Sequence, residues 1–161
     1  MKLVKLKSED ISTVQQLARE IWEEHYLPII GQQQIDYMLD LFYSTEKIQK
    51  ELEEGVYWEI LYLENEAIGY LVCEVEKENI QLSKLYLKSK VRGRGLGKFL
   101  IDRAIEIAKE NNKNSIRLNV NKNNTHSIAF YERIGFLKVE EGVFDIGNGY
   151  FMDDFIYEMK T

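Results

Sequence analysis

Residues 90–100 read KVRGRGLGKFL, and few arrangements of a chain accept such a stretch. Three alternating glycines, Gly93, Gly95 and Gly97, follow the run IQLSKLYL and lead into LGKFLIDRAIEIAKE. In that second run Leu96, Leu100, Ala104, Ile107 and Ala108 recur at the helical period, while Lys98, Asp102, Arg103 and Glu106 fall on the other face. A strand must therefore turn through glycines into a helix. A helix N-terminus presents N–H groups and partial positive charge, and glycines beside it let an anion approach the backbone with no Cβ in the way. Charge points the same way. Six of the chain's 21 Lys and Arg lie between residues 79 and 101, where none of its 27 Asp and Glu occurs, although the net charge is -6.

Spacing selects among anions. A Walker loop needs G-x-x-x-x-G-K-[ST], but Phe99 follows Lys98, so no hydroxyl is placed for magnesium. A dinucleotide fingerprint needs G-x-G-x-x-G and an acid ending the next strand; here the glycines run G-x-G-x-G and SIRLNV carries no acid. A pI near 5.1 with no second basic face argues against nucleic acid. No run approaches the roughly 18 to 20 apolar residues of a membrane span, and the N-terminus returns to charge at once. The chain is expected to be cytoplasmic. No His or Cys cluster has metal-ligand spacing, and the single cysteine, Cys73 in GYLVCEV, reads as a buried structural thiol.

The 161 residues suit one domain spanning 1–161. KLVKLK predicts a first strand. Ser8 is placed to cap a helix carrying Ile11, Val14, Leu17, Ala18, Ile21 and Trp22, which Pro28 is expected to stop. QQQIDYMLDLFY predicts a second helix, and Ser44 caps a third running to Gly55. From Tyr57 the period changes: YWEILYL, AIGYLVCEV and IQLSKLYL, separated by ENE and KEN, predict three antiparallel strands. SIRLNV is a further strand, Thr125 to Gly135 a short helix, and FLKVEEGVF with MDDFIYEM two last strands. The class is α/β (α+β).

These residues resemble the GNAT superfamily of acyl-CoA-dependent N-acetyltransferases. Its pyrophosphate loop, [RQ]-x-x-G-x-[GA] between strand and helix, is matched by Arg92, Gly95 and Gly97. NKNNTHSIAFYERIGF, about 30 residues on, resembles the family's N-x-x-A-x-x-F-Y-x-x-x-G-F, with Asn124, Ser127 at the small-residue position, Phe130, Tyr131, Gly135 and Phe136. The resemblance implies a central, mixed, mostly antiparallel sheet of about seven strands flanked by helices, in which two parallel central strands, IQLSKLYL and SIRLNV, splay apart. It implies acetyl-CoA as cosubstrate and no metal. By this likeness the backbone from Gly93 through Arg94, Gly95, Leu96 and Gly97 to Lys98 would hold the diphosphate, with Arg92 beside it. Leu85, Tyr86 and Leu87 would pair with the pantetheine arm, Asn124 and Ser127 would contact the cofactor beyond, and Tyr131 would be the general acid for the departing thiolate.

Many members carry a glutamate on the strand before the loop; here that stretch offers Gln81 and Ser83, which cannot accept a proton from an ammonium. His25, in WEEHYLPI, is the residue taken as base or acceptor ligand. His126 reads as solvated, as do Glu74, Asp153 and Asp154, the carboxylates that could otherwise take the proton through water. The likeness extends to bacterial acetyltransferases of small amines and polyamines. The expected partner is a small cationic primary amine, acetylated by direct transfer, with neither nucleic acid nor membrane involved and a homodimer as the assembly considered. Protein N-terminal or lysine amines are the alternative acceptors, and a non-catalytic acyl-CoA sensor the alternative class.

Overall fold

The computed structural model describes residues 1–161. The strands are β1 (Lys2–Lys5), β2 (Tyr57–Leu63), β3 (Glu66–Val75), β4 (Ile80–Leu87), β5 (Ser115–Asn121), β6 (Leu137–Gly147) and β7 (Tyr150–Lys160); the helices are α1 (Ile11–Ile30), α2 (Gln32–Tyr43), α3 (Thr45–Glu53), α4 (Leu96–Glu110) and α5 (Thr125–Arg133). The sheet order is β1-β2-β3-β4-β5-β7-β6. The chain forms two compact units, residues 1–74 with 84–100, and residues 75–83 with 101–161, so that β4 and α4 each run through both.

In the first unit β1 pairs antiparallel with β2, and β2 with β3. Glu64 and Asn65 take left-handed φ of 50° and 68°, the backbone of a two-residue hairpin turn whose twist matches the strands it joins. Val14, Ala18, Ile35, Ile48 and Ile68 are wholly buried, and each lies on the apolar stripe or strand face that the sequence marks. Ser44 caps α3 as expected, accepting from the Lys47 N–H at 3.1 Å.

Two boundaries differ from expectation. Ser8 opens a 3-10 turn, Ser8–Asp10, and α1 starts only at Ile11; neither Lys7 nor Asp10, the residues at the two cap positions, makes a side-chain cap bond. Pro28 does not stop α1, which runs on to Ile30. Proline removes a single helical bond there, its missing N–H being the one that would reach Glu24, and its ring is exposed. The stop is Gly31, whose φ of 81° turns the chain while its N–H closes on the Leu27 carbonyl at 3.1 Å.

In the second unit β4 pairs parallel with β5 at two positions only, Ile80↔Ile116 and Gln81↔Arg117. β7 pairs antiparallel with both β5 and β6. Ile101, Ala104, Ile107 and Ala108 of α4 are buried. Gly135, with φ of 111°, ends α5.

Candidate functional site

The glycine loop belongs to the first unit. After β4, residues Ser89–Val91 make one 3-10 turn, and Gly93 and Gly95 both take φ of 78°, where an L side chain is strained. A Cβ built on either would meet nothing within 4 Å. Conformation, not crowding, thus requires glycine. α4 begins at once, its first bond running from the Phe99 N–H to the Gly95 carbonyl at 3.1 Å, so the amides of Leu96 and Gly97 have no acceptor one turn back. An open glycine backbone beside a helix N-terminus, with Arg92, Arg94 and Lys98 exposed around it, fits a diphosphate.

The local positive charge is smaller than the six cations suggest. Lys88 pairs with Glu20 at 3.2 Å, Lys90 with Glu66 at 2.6 Å, and Ser89 donates to Glu24. Arg92 reaches the Leu87 carbonyl at 3.4 Å, bracing the turn that follows the strand. Lys84 is directed elsewhere: its ammonium lies 5.2 Å from the Trp58 ring and 5.3 Å from Tyr43, and desolvation lowers its pKa against the pull of Glu51 and Glu74.

Leu85, Tyr86 and Leu87 are half-buried on β4. Their neighbour Gly69 escaped the sequence reading. A Cβ there would lie 2.6 Å from both the Leu87 side chain and the Tyr86 carbonyl, so only glycine lets β3 approach this end of β4. The interruption of an apolar strand by glycine in AIGYL was the available signal. Behind it stands a tyrosine-rich group. The Trp22 indole donates to the Tyr70 hydroxyl at 3.2 Å, Tyr70 and Tyr43 share a hydrogen bond of 2.7 Å, and burial pushes both phenols up. Tyr26 and Tyr86 join hydroxyls at 3.1 Å, and half-buried His25 sets its ring edge-on to Tyr26 with centroids 4.8 Å apart. His25 is therefore grouped with the Tyr86 end of β4.

The remaining candidates fall in the second unit. Asn124 is buried, and its Oδ1 accepts from the Ser127 N–H at 3.4 Å, so this oxygen caps α5. Tyr131 is buried on α5 with ring centroids 5.3 Å from Phe130 and 5.6 Å from Phe136. Ser127 is half-buried and His126 exposed. Among the acids, Asp153 is solvated but paired with Lys122 at 3.0 Å. Asp154 corrects the expectation of a solvated side chain: it is 2% exposed, and burial lifts its carboxyl to about 6 against the pull of a hydrogen bond from Asn119. Strand alternation could not reveal this, since FMDDFIY carries acids on both faces.

Residues 14–136 match the acetyltransferase (GNAT) family. The chain is similar to a spermidine N(1)-acetyltransferase of Thermoplasma acidophilum, 30% identical over 88% of this chain and 90% of that one. It also resembles a peptidyl-lysine N-acetyltransferase of Salmonella typhimurium, 28% identical over 70% of this chain and 72% of the other. Among solved structures, the PaiA N-acetyltransferase of T. acidophilum in complex with coenzyme A superposes with a TM-score of 0.85 at 27% identity, covering 99% and 98% of the two chains. Glycine loop, strand order and family match agree: the chain belongs to the GNAT acetyltransferase family, and it is an acetyltransferase.

Proposed function

We propose that residues 1–161 act as one domain that moves the acetyl group of acetyl-CoA directly to a primary amine of a small, cationic polyamine. The observation that carries the reading of the donor is the glycine loop. Gly93 and Gly95 in left-handed conformation, followed by the bare first turn of α4, offer backbone amides to a diphosphate with no side chain between. Leu85 to Leu87 supply backbone groups for the pantetheine arm, and Asn124 and Ser127 complete the set. Tyr131 gives its hydroxyl proton to the departing sulfur, a role suited to a phenol that ordinarily titrates near that thiol, at about 10. His25, beside Tyr26 and Tyr86, serves as acceptor ligand.

The polyamine reading is supported by the spermidine acetyltransferase relative and by the excess of acids over the rest of the chain. Incubation with acetyl-CoA and a panel of spermidine, spermine, free amino acids and lysine peptides, read by mass spectrometry, tests it. N-acetylspermidine should dominate. The peptidyl-lysine relative favours a second reading, in which the lysine peptides are acetylated and spermidine is left untouched.

A further inference from the structure

Asn119 and Asp154 form a polar chain on one face of the second unit's strands. Gln81 Nε2 donates to Asn119 Oδ1 at 3.3 Å, and the Asn119 side chain in turn hydrogen-bonds Asp154. Both amides are thereby oriented, and the chain ends in a carboxylate. Asp154 Oδ2 is buried with no hydrogen-bond partner, a state that folded proteins rarely leave without purpose. What it lacks is a donor, and a cationic one would serve best.

The surroundings give access. β4 pairs with β5 at Ile80↔Ile116 and Gln81↔Arg117, and Asn119, two residues further along β5, is exposed. Asp154 stands across from Asn121 on β5 and Gly142 on β6. Gly142 carries no side chain, and the Phe144 ring lies over it, 3.2 Å from where its Cβ would be. Through Asn119, exposed and hydrogen-bonded to Asp154, the buried carboxylate stands one side chain from solvent.

We propose that Asp154 binds the acceptor: its open Oδ2 takes the terminal ammonium of a linear amine and accepts one of its protons. This rests on the amine-acetylating reading above and names the residue that replaces the glutamate missing at Gln81. The freed amine nitrogen forms its bond to the acetyl carbon and the carbon–sulfur bond breaks. The sulfur takes the Tyr131 proton, the second nitrogen-bound proton restores Tyr131 through solvent, and Asp154 releases its own, for one net proton lost. A pKa lifted to about 6 leaves Asp154 ionised, and so able to accept, near neutral pH. The other charged groups on β5, β6 and β7 are Asp153, which raises that value, Arg117 and Glu140, which pair with each other at 2.7 Å, and Lys138, Glu141, Asp145, Glu158 and Lys160; Lys122, just past β5, pairs with Asp153 and Glu141.

Asp154→Asn in the full chain tests this. With spermidine and acetyl-CoA, kcat/KM should fall about 100-fold or more while acetyl-CoA affinity stays within about twofold. Asp154→Glu should recover part of the loss, and the acid limb of the wild-type pH profile, with its apparent pKa near 6, should vanish in Asp154→Asn. In protein carrying 13C-labelled aspartate carboxyls, the Asp154 resonance should move when spermidine is added. Wild-type kcat/KM in Asp154→Asn, an unmoved resonance, or a loss of acetyl-CoA affinity as large as the loss of rate would each overturn the proposal. A wild-type protein that acetylates no amine would instead bring down the amine reading itself, and this proposal with it.

Discussion

A carboxylate buried with one oxygen lacking a donor destabilises the folded state whenever it is ionised, and Asp154 is such a group. Its carboxyl titrates at about 6 in the folded chain against an ordinary 3.8, so the folded state holds its proton more tightly than the unfolded one. Below pH 3.8 the group costs nothing, and stability is lost as pH rises through 6. Asp154→Asn should therefore be more stable than wild type near neutral pH, by about 1 to 3 kcal/mol, with the gain fading toward pH 4; urea titrations at the two pH values would show it. Tyr131→Phe acts on rate instead. It should keep the fold and acetyl-CoA affinity and lower kcat by something on the order of 10- to 1000-fold, whereas an unchanged kcat across pH would make Tyr131 a packing residue. The place of Tyr131 on α5 between Phe130 and Phe136 was legible because FYERIGF is a local pattern. That of Asp154 was not, because its burial and its partner Asn119, 35 positions earlier, exist only once β5 and β7 pair.

At the scale of elements, the turn into α4 concentrates two separable requirements. Gly95→Ala adds a side chain that meets no neighbour but holds φ at 78°, so it should cost about 1 to 2 kcal/mol in thermal or urea unfolding. Gly95→Asp adds a negative charge to the same strain and should abolish acetyl-CoA binding by calorimetry while circular dichroism stays native; retained affinity would refute the diphosphate cradle. The cap of α3 is a simpler case, and Ser44→Ala should lower stability by about 1 kcal/mol. Periodicity made every one of these elements readable, the order of strands and helices included. It failed at ends, where single bonds decide: Gly31 rather than Pro28 closes α1, and Ser8 lies in a 3-10 turn before Ile11. Gly69 also stayed hidden, since the reason for it is a 2.6 Å approach of a neighbouring strand.

For the whole molecule, charge is the property that composition exposes and geometry redistributes. Of the six cations between residues 79 and 101, Lys88 and Lys90 are paired with acids, Lys84 is turned among aromatic rings, and Arg92, Arg94 and Lys98 are exposed at the glycine loop. Counting residues could not foresee those pairings, because Glu20 and Glu66 are brought in by α1 and β3. The net charge of -6 should draw polycationic acceptors from a distance, so kcat/KM for spermidine should fall steeply with added salt and that for a neutral amine should barely change. Equal salt dependence for both would remove long-range attraction from the account. Cys73, the one cysteine, is wholly enclosed on β3. The native protein is consequently invisible to a colorimetric disulfide reagent. Every thiolate such a reagent detects during turnover is liberated coenzyme, and the same reagent added with denaturant titrates one reactive sulfur per molecule, counting unfolded chains directly.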